Sequence, residues 1–455
     1  MNRPNPIGGL SERIASSVTF KVITMVILVL LLLIPASMIK SLIREREYRQ
    51  QEVIGEIGSK WGNEQTIVGP IISIPYKKYH SDDHNSLDYT IQHARYLPDT
   101  LHIESRISSE KRYRGMYEAV LYNTKLELSG SFTLPDPALL NISPENIIWE
   151  NATVIVGISD LRGIKKPIYA RFGEDSLTLN SGLGINGITE EGSGINAPIR
   201  LSQAKTEYNF KFDIDLNGSY QLNLVPVGRL TDVTVESDWP DPGFTGEFLP
   251  AERVITPGGF TASWTILDLN RNFPQHWHNS QYSDNKSSLG IKLVTPVDVY
   301  QKSMRTVKYA LMFIMFAFLA FFFSEIMNKL RVHPIQYLLI GLAIVLFYSL
   351  LISISEHTNF DIAYWISSLA IIGLITGYSK SILKKTGMAL TVGCVIFILY
   401  GYLYIILQLE DYALMMGSVG LFVVLGLVMF LTRKIDWYNI RFENNSSNKH
   451  PMGDN

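Results

Sequence analysis

The stretch YSLLISISEHTNFDIAYW (348–365) places Glu356, His357 and Asp361 inside a run of apolar residues. A carboxylate beside an imidazole can relay protons, hold a metal or act as an acid–base pair. Ser349, Ser353 and Glu356 are spaced i, i+4, i+7 and would share one helix face. Tyr400 and Tyr404 form a second i, i+4 pair, and Glu410 and Asp411 follow in an acidic turn. Ser349, Ser353, Glu356, His357, Tyr400, Tyr404, Glu410 and Asp411 together define a candidate polar pocket. The plainer reading is helix capping and interfacial wetting. In that reading Asp361 is an N-cap, its oxygen accepting from free backbone N–H groups.

Two histidine groups raise the question of metal. His276 and His278 in FPQHWHNS would share one face of a strand. No carboxylate or cysteine stands at a usual ligand spacing from them. His80 and His84 flank Asp82 and Asp83 in YHSDDHNS, whose composition is that of a solvated turn. Both groups read as polar loops. Glu325 and Lys329 have the i, i+4 spacing of an ordinary helix ion pair. No nucleophile elbow, phosphate loop, zinc-protease helix or dinucleotide fingerprint is present. GLGINGITE resembles a glycine motif but no helix follows it. No catalytic residue, cofactor or metal site is assigned, although many hydrolases lack a readable motif.

The elements that must position these residues begin with apolar runs near the 20 residues needed to cross a bilayer. They cover 18–39, 307–326, 336–355, 362–379, 387–408 and 412–432. One span precedes a long polar region and five follow it. The basic flank Arg3 and Arg13 would suit a signal peptide. The exit PASMIKS lacks a small-x-small cleavage site, so span one reads as an uncleaved anchor. Lys329 and Arg331, then Lys380, Lys384 and Lys385, then Arg433 and Lys434 follow spans two, four and six. The two intervening turns carry no Lys or Arg. By the positive-inside rule the basic loops and both termini are cytoplasmic. One flank disagrees: Lys40, Arg44, Arg46 and Arg49 follow span one on the outer side.

The expected domains are a cytoplasmic N-terminus (1–17), an anchor helix (18–39), a periplasmic β-rich domain (40–306), a five-helix bundle (307–432) and a cytoplasmic tail (433–455). Hydrophobic residues make up 47% of the 455, with net charge −2, which fits a membrane part joined to an aqueous part. That charge gives no reason to expect a nucleic-acid partner. Cys394 is the only cysteine, so no disulfide forms within the chain. Short alternating runs such as TKLELSGSFTL, ATVIVGI and FTASWTI, separated by Gly, Pro, Asn and Asp, predict an all-β sandwich. Asn217-Gly218 predicts a hairpin turn, 176–198 a glycine-rich surface loop, and 48–62 a short helix. Gly373-x-x-x-Gly377 predicts a close helix approach.

The chain carries, in order, KWGNEQTIVGPIISIPY (60–76), RYRGMYEAVLYNTKLELSGSF (112–132), VGISDLRGI (156–164), SDWPDPGFTGEFLP (237–250), GFTASWTILDLNRNFP (259–274) and membrane segments such as LQLEDYALMMGS. In these segments it resembles the CreD-type inner membrane proteins of Gram-negative bacteria, described as cell envelope integrity proteins. The resemblance covers nearly the whole chain. It implies a multi-pass inner membrane protein with a periplasmic domain and a link to envelope stress, and it supplies no catalytic residue. The expected partners are the bilayer and a periplasmic or inner-membrane envelope component. Two other functions stay open: transport or lipid handling through the polar pocket, and hydrolysis of envelope material.

Overall fold

The computed structural model describes residues 18–81, 87–133, 136, 141–183, 193–202, 206–278, 287–294, 299–328, 332–383, 385–409 and 412–433. Glu410, Asp411, His84, Asp82, Asp83, Lys329, Arg331, Lys384 and Lys434 lie outside them. The chain divides into two compact units. One is Gln50–Pro296 and the other combines residues up to Arg49 with those from Val297.

The first unit holds two sheets. The larger, in spatial order, is β13 (Pro242–Gly246), β17 (Leu289–Leu293), β11 (Gln221–Val225), β1 (Gln65–Ser81), β5 (Thr153–Ile158), β9 (Gly194–Pro198) and β8 (Asn180–Ser181). To β1 is also paired β2 (Leu87–Tyr96), and to β2 in turn β16 (His276–His278). The second sheet is β14 (Glu252–Thr256), β15 (Gly259–Leu267), β12 (Leu230–Ser237), β3 (Thr100–Arg114), β4 (Tyr117–Thr133), β10 (Glu207–Ser219), β6 (Tyr169–Phe172) and β7 (Asp175–Ser176).

Period-two patterning explains the layering. Along β3, Leu101, Ile103 and Ile107 are buried while His102, Glu104 and Arg106 face solvent. Along β10, Tyr208, Phe210, Phe212, Ile214 and Leu216 turn inward. They join Ile72, Val156, Leu224 and Ile291 of the other sheet in one hydrophobic core. Two sheets sharing a core form a sandwich. Truncating a fully buried residue such as Phe212 to Ala should cost about 3–5 kcal/mol.

Asn217-Gly218 does not form the expected hairpin. Both residues lie within β10, opposite Asn123 and Tyr122. The chain changes sheet two residues later, at Tyr220, whose φ is +66°. Gly218 is required because the Tyr122 ring fills the space a Cβ would take. The Asn-Gly pair thus serves side-chain packing, and a positive-φ Tyr makes the turn. Of the glycine-rich loop 176–198, the described part includes β8 and β9.

The second unit is helical. Helix α1 runs unbroken from Val18 to Trp61, through Pro35, so the short helix expected at 48–62 is the end of one 44-residue element. Its last turns belong to the sheet unit. Then come α2 (Val299–Lys308), α3 (Ala310–Asn328), α4 (Pro334–Ser355), α5 (Phe360–Leu383), α6 (Thr386–Gln408) and α7 (Ala413–Thr432). Among the described residues five helices are long and apolar enough to cross a membrane, and six spans result if α2 and α3, bent by 47°, count as one. Helix α2 is amphipathic, burying Tyr300, Ser303, Thr306 and Val307 on one side. Among the described residues nothing lies within 4 Å of a Cβ built on Gly373 or Gly377, so the expected close helix approach is not found there. Gly341 supplies one, lying against Leu32 of α1 and Phe318 of α3.

Candidate functional site

Within the helical unit the candidate pocket residues go to different neighbours. Glu356, at the C-terminal end of α4, accepts from the Tyr300 hydroxyl at 3.3 Å and pairs with Arg46 of α1 at 3.8 Å. Arg46 is one of the four cations on the flank that disagreed with the charge ladder, and Glu356 gives it a carboxylate partner. His357 is exposed and Ser353 is exposed. Ser349 is half-buried in an otherwise apolar cleft of about 430 Å³ lined by residues such as Ile39, Leu339 and Leu374.

Tyr400 and Tyr404 join a different group. Tyr404 donates to Asp361 at 3.2 Å, and the Gln408 amide donates to the same oxygen at 2.8 Å. Asp361 is therefore a hydrogen-bond acceptor in the first turn of α5. The cap is Asn359, whose side-chain oxygen accepts from the Ile362 N–H at 2.9 Å. Tyr400 is buried, with its ring 4.7 Å from that of Phe347 and 5.2 Å from that of Phe313.

Among the described residues Glu325 is the most enclosed carboxylate of this unit. It is 0% exposed and pairs with Lys21 of α1. It also accepts from the Val332 N–H at 2.9 Å and the Tyr337 hydroxyl at 3.0 Å. A carboxylate removed from water needs this many donors, because desolvation otherwise exceeds the Coulomb gain. The sequence signal was Lys21 itself, a lone cation inside the first apolar run, where an ionisable residue requires a partner.

In the sandwich, a polar hub fixes the end of α1. Gln65 is 0% exposed, and its amide uses all four hydrogen-bonding positions. It donates to the carbonyls of Asp160 and Asn217, both at 3.0 Å, and accepts from the Asp160 N–H and the Ser159 hydroxyl. The Asp160 carboxylate binds the Asn63 N–H at 3.0 Å and takes the Arg162 guanidinium bidentately. Burial alone would raise the Asp160 pKa, but Arg162 and the N–H groups of Asn63 and Arg162 outweigh it and hold the carboxyl below its usual range. A Cβ at Gly62 or Gly163 would strike the Asn217 carbonyl. The Trp61 indole donates to the Tyr122 carbonyl at 3.3 Å and lies under Arg112 at 4.5 Å. KWGNEQ and GISDLRG, far apart in sequence, meet at this hub.

His276 and His278 do share a face of β16. The His278 Nδ1 lies 3.0 Å from the Tyr76 hydroxyl, which donates to Gln92 at 2.7 Å. His80 contacts Thr90 at 2.9 Å. Among the described residues no group of three or more His, Cys, Asp or Glu could hold a metal ion.

The outer face of the second sheet carries a cleft of about 470 Å³. Register aligns Glu104 of β3 with Glu127 of β4, then Asp213 of β10, then Tyr169 of β6. Like charges placed directly opposite destabilise a sheet. Lys211 partly relieves this, 2.6 Å from Glu127 and 3.8 Å from Asp213. Tyr169 is 73% exposed beside the row.

A bundle of apolar helices joined through one long helix to a β-sandwich defines a multi-pass membrane protein with a large aqueous domain. The family model described as inner membrane protein CreD matches residues 17–438. A relative from Escherichia coli (strain K12), the inner membrane protein CreD, is 32% identical over 421 residues, covering 90% of this chain and 91% of its own. The chain belongs to the CreD family of inner membrane proteins.

Proposed function

We propose that this protein supports envelope integrity by binding a periplasmic or membrane-bound component through its sandwich, with the helical bundle as anchor. The observation that carries this reading is the row of Glu104, Glu127 and Asp213 beside the exposed Tyr169. Arg106, Lys125 and Lys166 line the same cleft, so cations border the acidic row. Three aligned carboxylates cost stability that a binding function would justify. The charge ladder of the loops supports a periplasmic sandwich and cytoplasmic termini. Reversing Glu104 and Asp213 to Lys together should abolish complementation of an envelope-stress phenotype at unchanged protein level. Full complementation by that variant would remove the proposal.

A second reading, transport or lipid handling at the polar end of the bundle, draws support from the hydrogen-bonded group of Asp361, Tyr404 and Gln408. Replacing Glu356, His357 and Glu410 by Ala separates the two readings. Loss of function in that triple variant, with the sandwich variant active, would favour the second.

A further inference from the structure

Among the described residues, the helical core contains several buried hydroxyls that the neighbouring protein groups leave unpaired, and three of them concern one region. Tyr348 of α4, Ser367 of α5 and Tyr400 of α6 are 1%, 0% and 1% exposed. Their side-chain oxygens have no hydrogen-bond partner among the described residues. The Phe347 ring lies 5.0 Å from Tyr348 and 4.7 Å from Tyr400. It also lies 5.5 Å from Tyr364, whose hydroxyl donates to the Tyr400 carbonyl at 2.6 Å. Ser367 follows Tyr364 by three residues on the same buried face of α5.

Leaving a hydroxyl unpaired in an apolar medium costs about 2–7 kcal/mol, depending on the reference state. Lipid supplies no alternative partner. Buried water typically makes about three hydrogen bonds to groups that would otherwise go unsatisfied. Tyr348, Ser367 and Tyr400 carry groups of that kind. An approach from outside is also at hand. Tyr404 lies one turn beyond Tyr400 and bonds to Asp361, whose other donor, Gln408, is exposed. From Asp361 to Ser367 is six residues, about 9 Å along a helix.

We propose that Tyr348, Ser367 and Tyr400 bind water inside the bundle, at the inner end of a hydrated polar column that opens at Asp361. This is independent of what the sandwich binds. The column carries water and protons about a third of the way through a hydrocarbon core of roughly 30 Å. It gives the bundle a proton-accessible interior that an anchor alone does not need.

X-ray-pulse hydroxyl-radical footprinting of the full chain in lipid nanodiscs tests this, because radicals form from bound water and label adjacent rings. The reference is Tyr122, equally buried but with its hydroxyl bonded to the Gln221 carbonyl in the sandwich core. Tyr348 and Tyr400 should label at least about fivefold faster than Tyr122, and Ser367→Ala should lower both rates. Labelling at the Tyr122 rate overturns the proposal. Tyr400→Phe gives a second reading on the same protein. A lowered Tm supports bound water, whereas an unchanged or raised Tm means the hydroxyl was dry and contradicts it.

Discussion

Glu356 and Asp361 stand five residues apart in sequence and answer to different partners, Arg46 and Tyr300 for one, Tyr404 and Gln408 for the other. Their residue types were legible as polar intrusions into an apolar run. Their partners were not, because helix-to-helix contacts depend on packing that spacing within one helix does not encode. The hub at Gln65 was invisible for the same reason: a buried amide is recognised only once its four partners are in place. Gln65→Leu should therefore destabilise the sandwich by about 3 kcal/mol or more, since it strands several buried backbone groups. Tryptophan fluorescence during urea unfolding would measure it, and a loss below about 1 kcal/mol would contradict the hub's role. Acid should act on the sandwich too, at His93 of β2 as well as at Asp160 of the hub. Burial and then Arg95 hold the His93 pKa below its ordinary 6.5, so the unfolded chain takes up that proton first. The contribution of His93 is present above about pH 6.5 and is lost as pH falls below it. The depressed Asp160 contributes above about pH 3.9, and that contribution is lost as pH falls through its folded pKa. Stability of the sandwich should thus decline in two stages on acidification. In Asp160→Asn the lower stage should flatten, and an unchanged profile there would count against the assignment.

At the scale of elements, strands were the most legible. β3, β10, β12 and β15 alternate cleanly because one face meets the core and the other meets water. Errors arose where a local glycine signal did not do what its spacing suggests. Gly218 makes room for Tyr122 rather than a turn, and Gly373 and Gly377 face open space. Helix α1 was read as two pieces because its apolar run ends near Ile39, whereas backbone hydrogen bonding continues to Trp61. Side-chain pairs now explain what holds it: Lys21 on Glu325 and Arg46 on Glu356 in one unit, Trp61 under Arg112 in the other. Lys21→Ala should cost about 3–5 kcal/mol by leaving Glu325 buried without its cation. Adding Glu325→Gln should restore most of that loss. Thermal unfolding in detergent would show it, and a double variant no better than the single would contradict the pairing.

At the scale of the molecule, the division into an apolar helical part and an aqueous β part was readable from composition and hydropathy alone. The expected aqueous domain, 40–306, is wider than the compact sheet unit, Gln50–Pro296, because helical residues continue at both ends. Which side of the membrane that unit faces rests on the loop charges. An alkaline phosphatase fusion after Gly290 should be active and one after Lys384 inactive, and the reverse would overturn the orientation. The central claim is that the sandwich engages an envelope component through the face bearing Glu104, Glu127, Asp213 and Tyr169. A photocrosslinking amino acid at position 169 of the full chain, irradiated in living cells, tests it most directly. The account predicts a discrete adduct with an envelope component that disappears when Glu104 and Asp213 are both changed to Lys. No adduct from this face, in cells where the protein still complements, would contradict it.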